Sequence, residues 1–346
     1  MNNRIVGVLL VLMAVCLIAV LFNLQEDGTD DQMLGRLLFP ELAQQLDQVI
    51  SVQIRGPATA VESETAESVH LKLGSDGWVV AERADYPADF GSLSAMIDGL
   101  ANAKLVERKT SRAENLELLG LNDEAVTRID LEAGDKSLPV LIGGQPAGRK
   151  GRYIRFPEET QAWLIDQSLE VNTGPASWLE SVIINIDSEQ IVSVLIESPE
   201  GDQLEAARVT GEDNMQLQGL SENENLRYPG AANELASALV NVRLEDLVLD
   251  ETVDWQDAWK AAFTLKAGGL VETLAKQVGD RHLMQFRVSS NESQPPAQDA
   301  DLSDSDSEPE AQEGDLSQYA GINQYVFVVP EHVFGDFAVR RSDLLE

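Results

Sequence analysis

Asp47 to Pro57 reads DQVISVQIRGP, and Glu189 to Pro199 reads EQIVSVLIESP. The two align without a gap, and each alternates apolar with polar residues as a half-buried strand does. Ile50, Val52 and Ile54 on one face correspond to Val192, Val194 and Ile196, while Ser51 and Ser193 share the opposite face. A one-residue slip would turn either set outward, so a shared phase implies shared burial.

Two further matches follow in the same order. Leu100 to Glu107 is LANAKLVE and Leu239 to Asp246 is LVNVRLED; Tyr153 to Glu159 is YIRFPEE and Tyr325 to His332 is YVFVVPEH. Three ordered matches predict a tandem duplication over 47–180 and 189–346. In the first unit, Phe90, Leu93, Ile97 and Leu100 recur at helical steps, with Asp89 as N-cap. In the second, Leu235, Leu239 and Val242 do so, with Pro229 in the first turn. Strands are expected near 49–55, 68–73, 77–82, 104–108, 126–132, 137–142, 151–156 and 161–166. In the second unit they are expected near 190–197, 203–209, 214–218, 244–249, 261–267, 270–278, 281–289 and 324–330. Turn residues such as Gly134-Asp135, Gly201-Asp202 and Gly279-Asp280 separate them. The expected class is α+β: two pseudo-repeats of largely antiparallel sheet with one main helix each. Trp78, Trp163, Trp178, Trp255 and Trp259 are expected to serve packing.

Ahead of the repeats, Ile5 to Phe22 (IVGVLLVLMAVCLIAVLF) carries no charge. As a helix it would span roughly 27 Å, close to a hydrocarbon core of ~30 Å. Residues 5–24 are therefore expected to be a retained transmembrane signal-anchor. Asn23, Leu24 and Gln25 make a poor cleavage site, and Val15 before Cys16 does not suit a lipoprotein signal. Arg4 precedes the span; Glu26, Asp27, Asp30 and Asp31 follow it. That asymmetry places residues 1–4 in the cytoplasm and the body outside, periplasmic where there is a periplasm. Residues 25–46 read as an acidic tether with a short helix in Leu37 to Leu46. Residues 290–317 read as a disordered acidic insertion within the second repeat, a solvated spacer rather than a calcium loop.

Composition narrows the chemistry. The net charge of −34 argues against nucleic acid as a partner. The single cysteine, Cys16, lies in the apolar run, so the body has neither disulfide nor thiol chemistry. His70, His282 and His332 lack metal-ligand spacing. No phosphate-loop motif appears, which argues against nucleotide binding, and no nucleophile elbow appears either. No catalytic, cofactor or metal residue is therefore expected. One feature runs against the charge background. Arg149, Lys150, Arg152 and Arg155 cluster in GRKGRYIR, and Lys104, Arg108, Lys109 and Arg112 in KLVERKTSR. Such a patch suits an acidic partner or an anionic glycan, while a solvated turn paired with local carboxylates is the plainer reading.

The segment from Trp78 through Tyr86-Pro87-Ala88-Asp89 to Glu107 resembles a known family. Leu119-Gly120-Leu121, the strand near Ile129, Gly143-Gly144 and Tyr153-Ile154-Arg155 extend the likeness. Together they resemble the bacterial domain of unknown function 4340. Members of that family are typically encoded beside a gliding-motility-type ABC transporter comprising an ATPase, a permease and an auxiliary membrane protein. The resemblance implies a non-catalytic, envelope-facing accessory subunit that contacts the permease or the auxiliary protein. It carries over no catalytic residue, and the acidic insertion departs from its pattern. A cell-envelope glycan-binding module is the alternative reading, and an envelope hydrolase the third.

Overall fold

The computed structural model of the chain describes residues 33–57, 67–249, 252–290 and 316–346. The Ile5–Phe22 stretch, residues 25–32 of the tether and 291–315 of the insertion lie outside the described residues. Among the described residues, no helix is long and apolar enough to cross a membrane. The chain divides into two units, the first ending at Leu179 and the second beginning at Glu180.

The first unit holds β1 (Val49–Arg55), β2 (Ser68–Leu73), β3 (Trp78–Val80), β4 (Tyr86–Pro87), helix α1 (Phe90–Asn102), β5 (Leu105–Arg108), β6 (Thr127–Ala133), β7 (Lys136–Ile142), β8 (Arg152–Arg155) and β9 (Ala162–Ile165). They form one sheet in the order β4-β3-β2-β1-β6-β7-β8-β9-β5. The second unit begins with β10 (Val182–Ile184), then β11 (Ile191–Glu197), β12 (Gln203–Arg208), β13 (Met215–Leu217), α2 (Asn233–Ser237), β14 (Val242–Arg243) and β15 (Asp246–Leu247). It continues through β16 (Trp259–Leu265), β17 (Leu270–Val278), β18 (Arg281–Ser289), β19 (Phe327–Val329), α3 (Glu331–Phe337) and α4 (Arg341–Leu344). Its main sheet runs β13-β12-β11-β16-β17-β18-β19-β15, and β10 pairs with β14 apart. Every pairing in the two main sheets is antiparallel. The class is thus α+β with few helices.

Position by position, the second order follows the first without β4. The first two sequence matches fall at equivalent places: β1 and β11 sit mid-sheet, and β5 and β15 each close an end. The third does not. YIRF lies on β8, one strand in from β9, whereas YVFVV lies on β19, the neighbour of β15 that occupies the place of β9.

Each central strand carries a bulge near its start. Val49 opposes Ala133 and Ser51 opposes Glu132, leaving Ile50 as the extra residue. Ile191 opposes Leu265 and Ser193 opposes Thr264, leaving Val192 extra in the same way. Such a bulge reverses the phase of the residue before it. Ile50 is therefore 46% exposed and Val49 only 4%, contrary to the alternation read from sequence. Past the bulge, Val52, Ile54, Val194 and Ile196 are buried as expected.

Helix α1 starts where the sequence places it. The Asp89 carboxylate accepts from the Ser92 backbone N–H at 3.1 Å and the Ser92 hydroxyl at 2.6 Å, satisfying donors that the helix leaves orphaned. Its buried stripe is Leu93, Met96, Ile97, Leu100 and Ala101. Phe90 opens the helix in solvent rather than joining that stripe. In the second unit the helix shrinks to Asn233–Ser237. Leu235, Leu239 and Val242 are all buried, but Val242 is already in β14, and Pro229 precedes the helix. The expected helix at 37–46 is instead a pair of 3-10 turns, Leu42–Gln44 and Leu46–Gln48. Leu316, read as part of the insertion, is buried, and Ser317 opens a 3-10 helix. Trp163 and Trp178 are core residues; Trp78, Trp255 and Trp259 are only half-buried. The second core is organised by Phe337 of α3, whose ring meets those of Phe263 and Phe286 edge-on at 5.8 and 6.0 Å.

The bulge makes a sharp prediction. Ile50→Lys should change stability by less than about 0.5 kcal/mol, whereas Val49→Lys should cost about 3 kcal/mol or more by burying a charge. Urea unfolding of the two variants checks this; equal costs would contradict the register.

Candidate functional site

The basic segment GRKGRYIR is a turn followed by β8. Gly151 holds a φ of 122°, and a Cβ there would strike the Ile165 carbonyl oxygen, so only glycine fits. Its N–H donates to Ser168 Oγ at 3.0 Å. From this turn, β8 alternates. Ile154 faces inward, opposite Ile142 and Trp163, and Arg152 shares its phase. Tyr153 and Arg155 face outward.

Alternation therefore divides the four cations. Arg149 pairs with Glu107 of β5, which also pairs with Lys109. Hydrogen bonds from Lys109 and then Arg149 hold the Glu107 carboxyl below its usual range. Arg152 is half-buried; burial lowers its pKa against the opposing pull of Glu170, and its Nε has no partner. Arg155 is held on the other face, donating to the Glu159 carbonyl at 3.0 Å with Asp123 at 3.8 Å. Lys150 stands in solvent. Of the second cluster, Arg108 donates to Gln161 at 2.8 Å, Lys109 lies 5.7 Å from the Tyr153 ring centre, and Lys104 and Arg112 are exposed. The eight cations line one end of the first sheet, but interleaved carboxylates and opposed phases keep them from converging on a single anion site.

Charge also gathers where sequence reading singled out nothing. Arg55, Arg128 and Asp130 share the outward phase of β1 and β6. Burial works against the charged form of Asp130, but hydrogen bonds from Arg128 and Arg55 outweigh it and keep the carboxyl below its usual range. Beside them, Ser51 Oγ lies 3.0 Å from His70 Nε2. Glu82 accepts from the His70 backbone N–H at 2.9 Å, not from the ring, so it orients no base. His282 and His332 line one depression with Glu331, where the His282 ring lies 4.9 Å from that of Phe334. Among the described residues, no group of three or more His, Cys, Asp or Glu side chains is arranged to hold a metal ion.

On the second sheet, the outward face forms a groove of about 260 Å³. Leu195, Ala262 and Leu274 give it an apolar floor; Glu197, Lys260 and Arg287 stand at its rim. The periodicity of β11, β16, β17 and β18 puts these residues in the outward phase, but their convergence needed the pairing of distant strands.

Among the described residues, the carboxyl of Glu224 is strongly displaced, and its partners are structural. Arg341 of α4 donates to the Gln218 and Gly219 carbonyls at 3.0 and 2.7 Å and to Glu224 at 3.0 Å. Ser221 donates to the same carboxylate through its backbone N–H and hydroxyl. These bonds, led by Arg341, lower the Glu224 pKa to about 2.

A family model described as a domain of unknown function, DUF4340, matches residues 78–267, more than half of the chain. No curated protein matches the chain, and no solved structure does.

Because the Glu224 pKa is lowered on folding, its contribution to stability is present above the unfolded value of ~4.3 and is lost as pH falls toward the folded value. A carbon-detected NMR titration should place its midpoint at about 2. Arg341→Ala should return it to the ordinary carboxylate range; an unchanged midpoint would show that Arg341 is not the cause.

Proposed function

The chain belongs to the DUF4340 family, and on that premise we propose that it is a non-catalytic, membrane-anchored accessory subunit of a gliding-motility-type ABC transport system. The carrying observation is the joint presence of the family match over 78–267 and the uncharged run Ile5–Phe22. The run holds the chain to the bilayer with its N-terminus in the cytoplasm, following the charge flanks. The body then stands on the outer side of the inner membrane, beside the permease and its auxiliary protein. Tethering keeps the body at a high effective concentration near those partners, so a weak contact suffices.

The body is built as a duplicated module, a reading supported by the matched strand orders and by bulges at the same place in β1 and β11. Its sheets supply broad, outward polar faces, which suit protein contact better than small-molecule chemistry. The cation-rich end around Arg149, Lys150, Arg152 and Arg155 gives an acidic partner somewhere to dock. Much of that charge is already balanced by Glu107 and Asp123, so the patch steers an encounter more than it holds a complex.

Crosslinking the full-length protein in its membrane, followed by extraction and mass spectrometry, should recover an ABC permease together with its ATPase. Recovery of neither from intact, anchored protein would overturn the accessory role and favour an envelope glycan-binding module.

A further inference from the structure

We propose that the groove on the outward face of the second sheet is a docking site for a short leucine-bearing turn of a partner protein. The first sheet carries the same surface with its occupant in place. On β7, Leu141 lies opposite Arg128 of β6 and Arg155 of β8. On β17, Leu274 lies opposite Lys260 of β16 and Gln285 of β18. Strand order and phase make the two leucines equivalent, each flanked by residues whose side chains go to the core.

Their surroundings differ. Leu141 is 7% exposed because the connection from β5 to β6 folds back over it. That connection runs from 109 to 126 and makes two 3-10 turns, Ala113–Asn115 and Glu117–Leu119. Leu116 and Leu121 pack with Leu141 and Ala162, and Leu119 closes against them. The Gly144 N–H donates to the Leu119 carbonyl at 2.8 Å, and the Leu121 N–H to that of Leu116 at 2.9 Å, fixing the turn to the sheet. Gly143 is bare where the turn comes closest: a Cβ there would strike the Leu119 carbonyl oxygen.

The equivalent connection in the second unit, from β15 to β16, runs only from 248 to 258. Lys276, two residues past Leu274 on β17, holds it at the strand's end, donating to the carbonyls of Asp254 and Gln256 at 2.8 and 2.5 Å. Leu274 is left half-exposed and Leu195 39% exposed. The resulting groove of about 260 Å³ has room for aliphatic side chains. Its rim carries both signs, with Lys260 paired to Glu197 at 2.7 Å and Glu272 opposite Arg287. A rim of mixed sign suits a peptide's amides and carbonyls better than an acyl chain. The occupant class thus follows from the first unit: leucines brought together by a tight turn, as Leu116, Leu119 and Leu121 are. This inference rests on the comparison of the two sheets and stands whether or not the partner is a transporter.

The probe is the acetylated, amidated peptide RAENLELLGL, residues 112–121 of this chain, added to the full-length protein in nanodiscs. Methyl NMR should show saturable shifts at Leu195, Ala262 and Leu274. Binding should weaken at least tenfold in Leu274→Asp and in Ala262→Glu, with the Met284 and Met215 core signals unchanged. A peptide with its leucines at 116, 119 and 121 replaced by alanine should give no saturable shift. Absence of saturable shifts with the native peptide, or shifts that persist in both variants, would overturn the proposal. No transporter component is present, so failure here leaves the accessory role standing, and failure of the crosslinking experiment leaves this one standing.

Discussion

The register between β1 and β6, and between β11 and β16, is the constraint on which each sheet depends. Strands lie on both sides of each central pair, so its phase decides which face of the whole sheet is buried. Ile54 opposite Ile129 and Val52 opposite Leu131 fix that phase in the first sheet. Val194 opposite Phe263 and Ile196 opposite Ala261 fix it in the second. A slip by one residue would send these side chains into water and Gln53 or Leu195 inward. The bulges at Ile50 and Val192 let the strand enter from a 3-10 turn with its first apolar residue buried, at the cost of one residue left outside. Their common position shows the same solution to the same entry geometry in both sheets.

Charge is handled locally. With a net charge of −34, a uniform acidic surface would repel most partners, but screening confines each charge to a neighbourhood of ~8 Å at physiological salt. Within that range the cations of the first sheet find carboxylates: Arg149 and Lys109 on Glu107, Arg55 and Arg128 on Asp130. Exposed pairs of this kind add little stability. Their effect is to neutralise the outward faces patch by patch, leaving surfaces that accept contact in a chain whose overall charge opposes it.

The alternation of β1, β2, β17 and β18 gives their bounds to the residue, because each is half-buried and period two is legible wherever one face is wet. The Asp89 cap was legible for a similar reason, being a local contact. What escaped depends on distant pairing. No local pattern marks Ile50 as a bulge residue; the extra position exists only against Ala133 and Glu132. Phe90 matched the helical period yet precedes the turn that meets the core. The second helix read as longer than it is because Leu235, Leu239 and Val242 are buried by three different local structures. The basic segment GRKGRYIR looked like one patch in sequence, and strand alternation sent Arg152 and Arg155 to opposite faces.

Two sheets whose strand orders match but for β4 have put the same surface to different use. An antiparallel sheet needs only one buried face, so whatever covers the other is free to vary with loop length. In the first unit the long β5–β6 connection brings its own leucines and turns part of that face into a second small core around Leu141. In the second, the shorter connection is anchored at Lys276, and among the described residues Leu274 keeps its place without such a cover. An exposed leucine alone means little on any protein surface. An exposed leucine at the position where the sister sheet buries one, with Leu195 and Ala262 beside it in a groove, marks a surface already shaped for contact. The described residues of the first sheet cover their own leucine, while those of the second leave the equivalent one open.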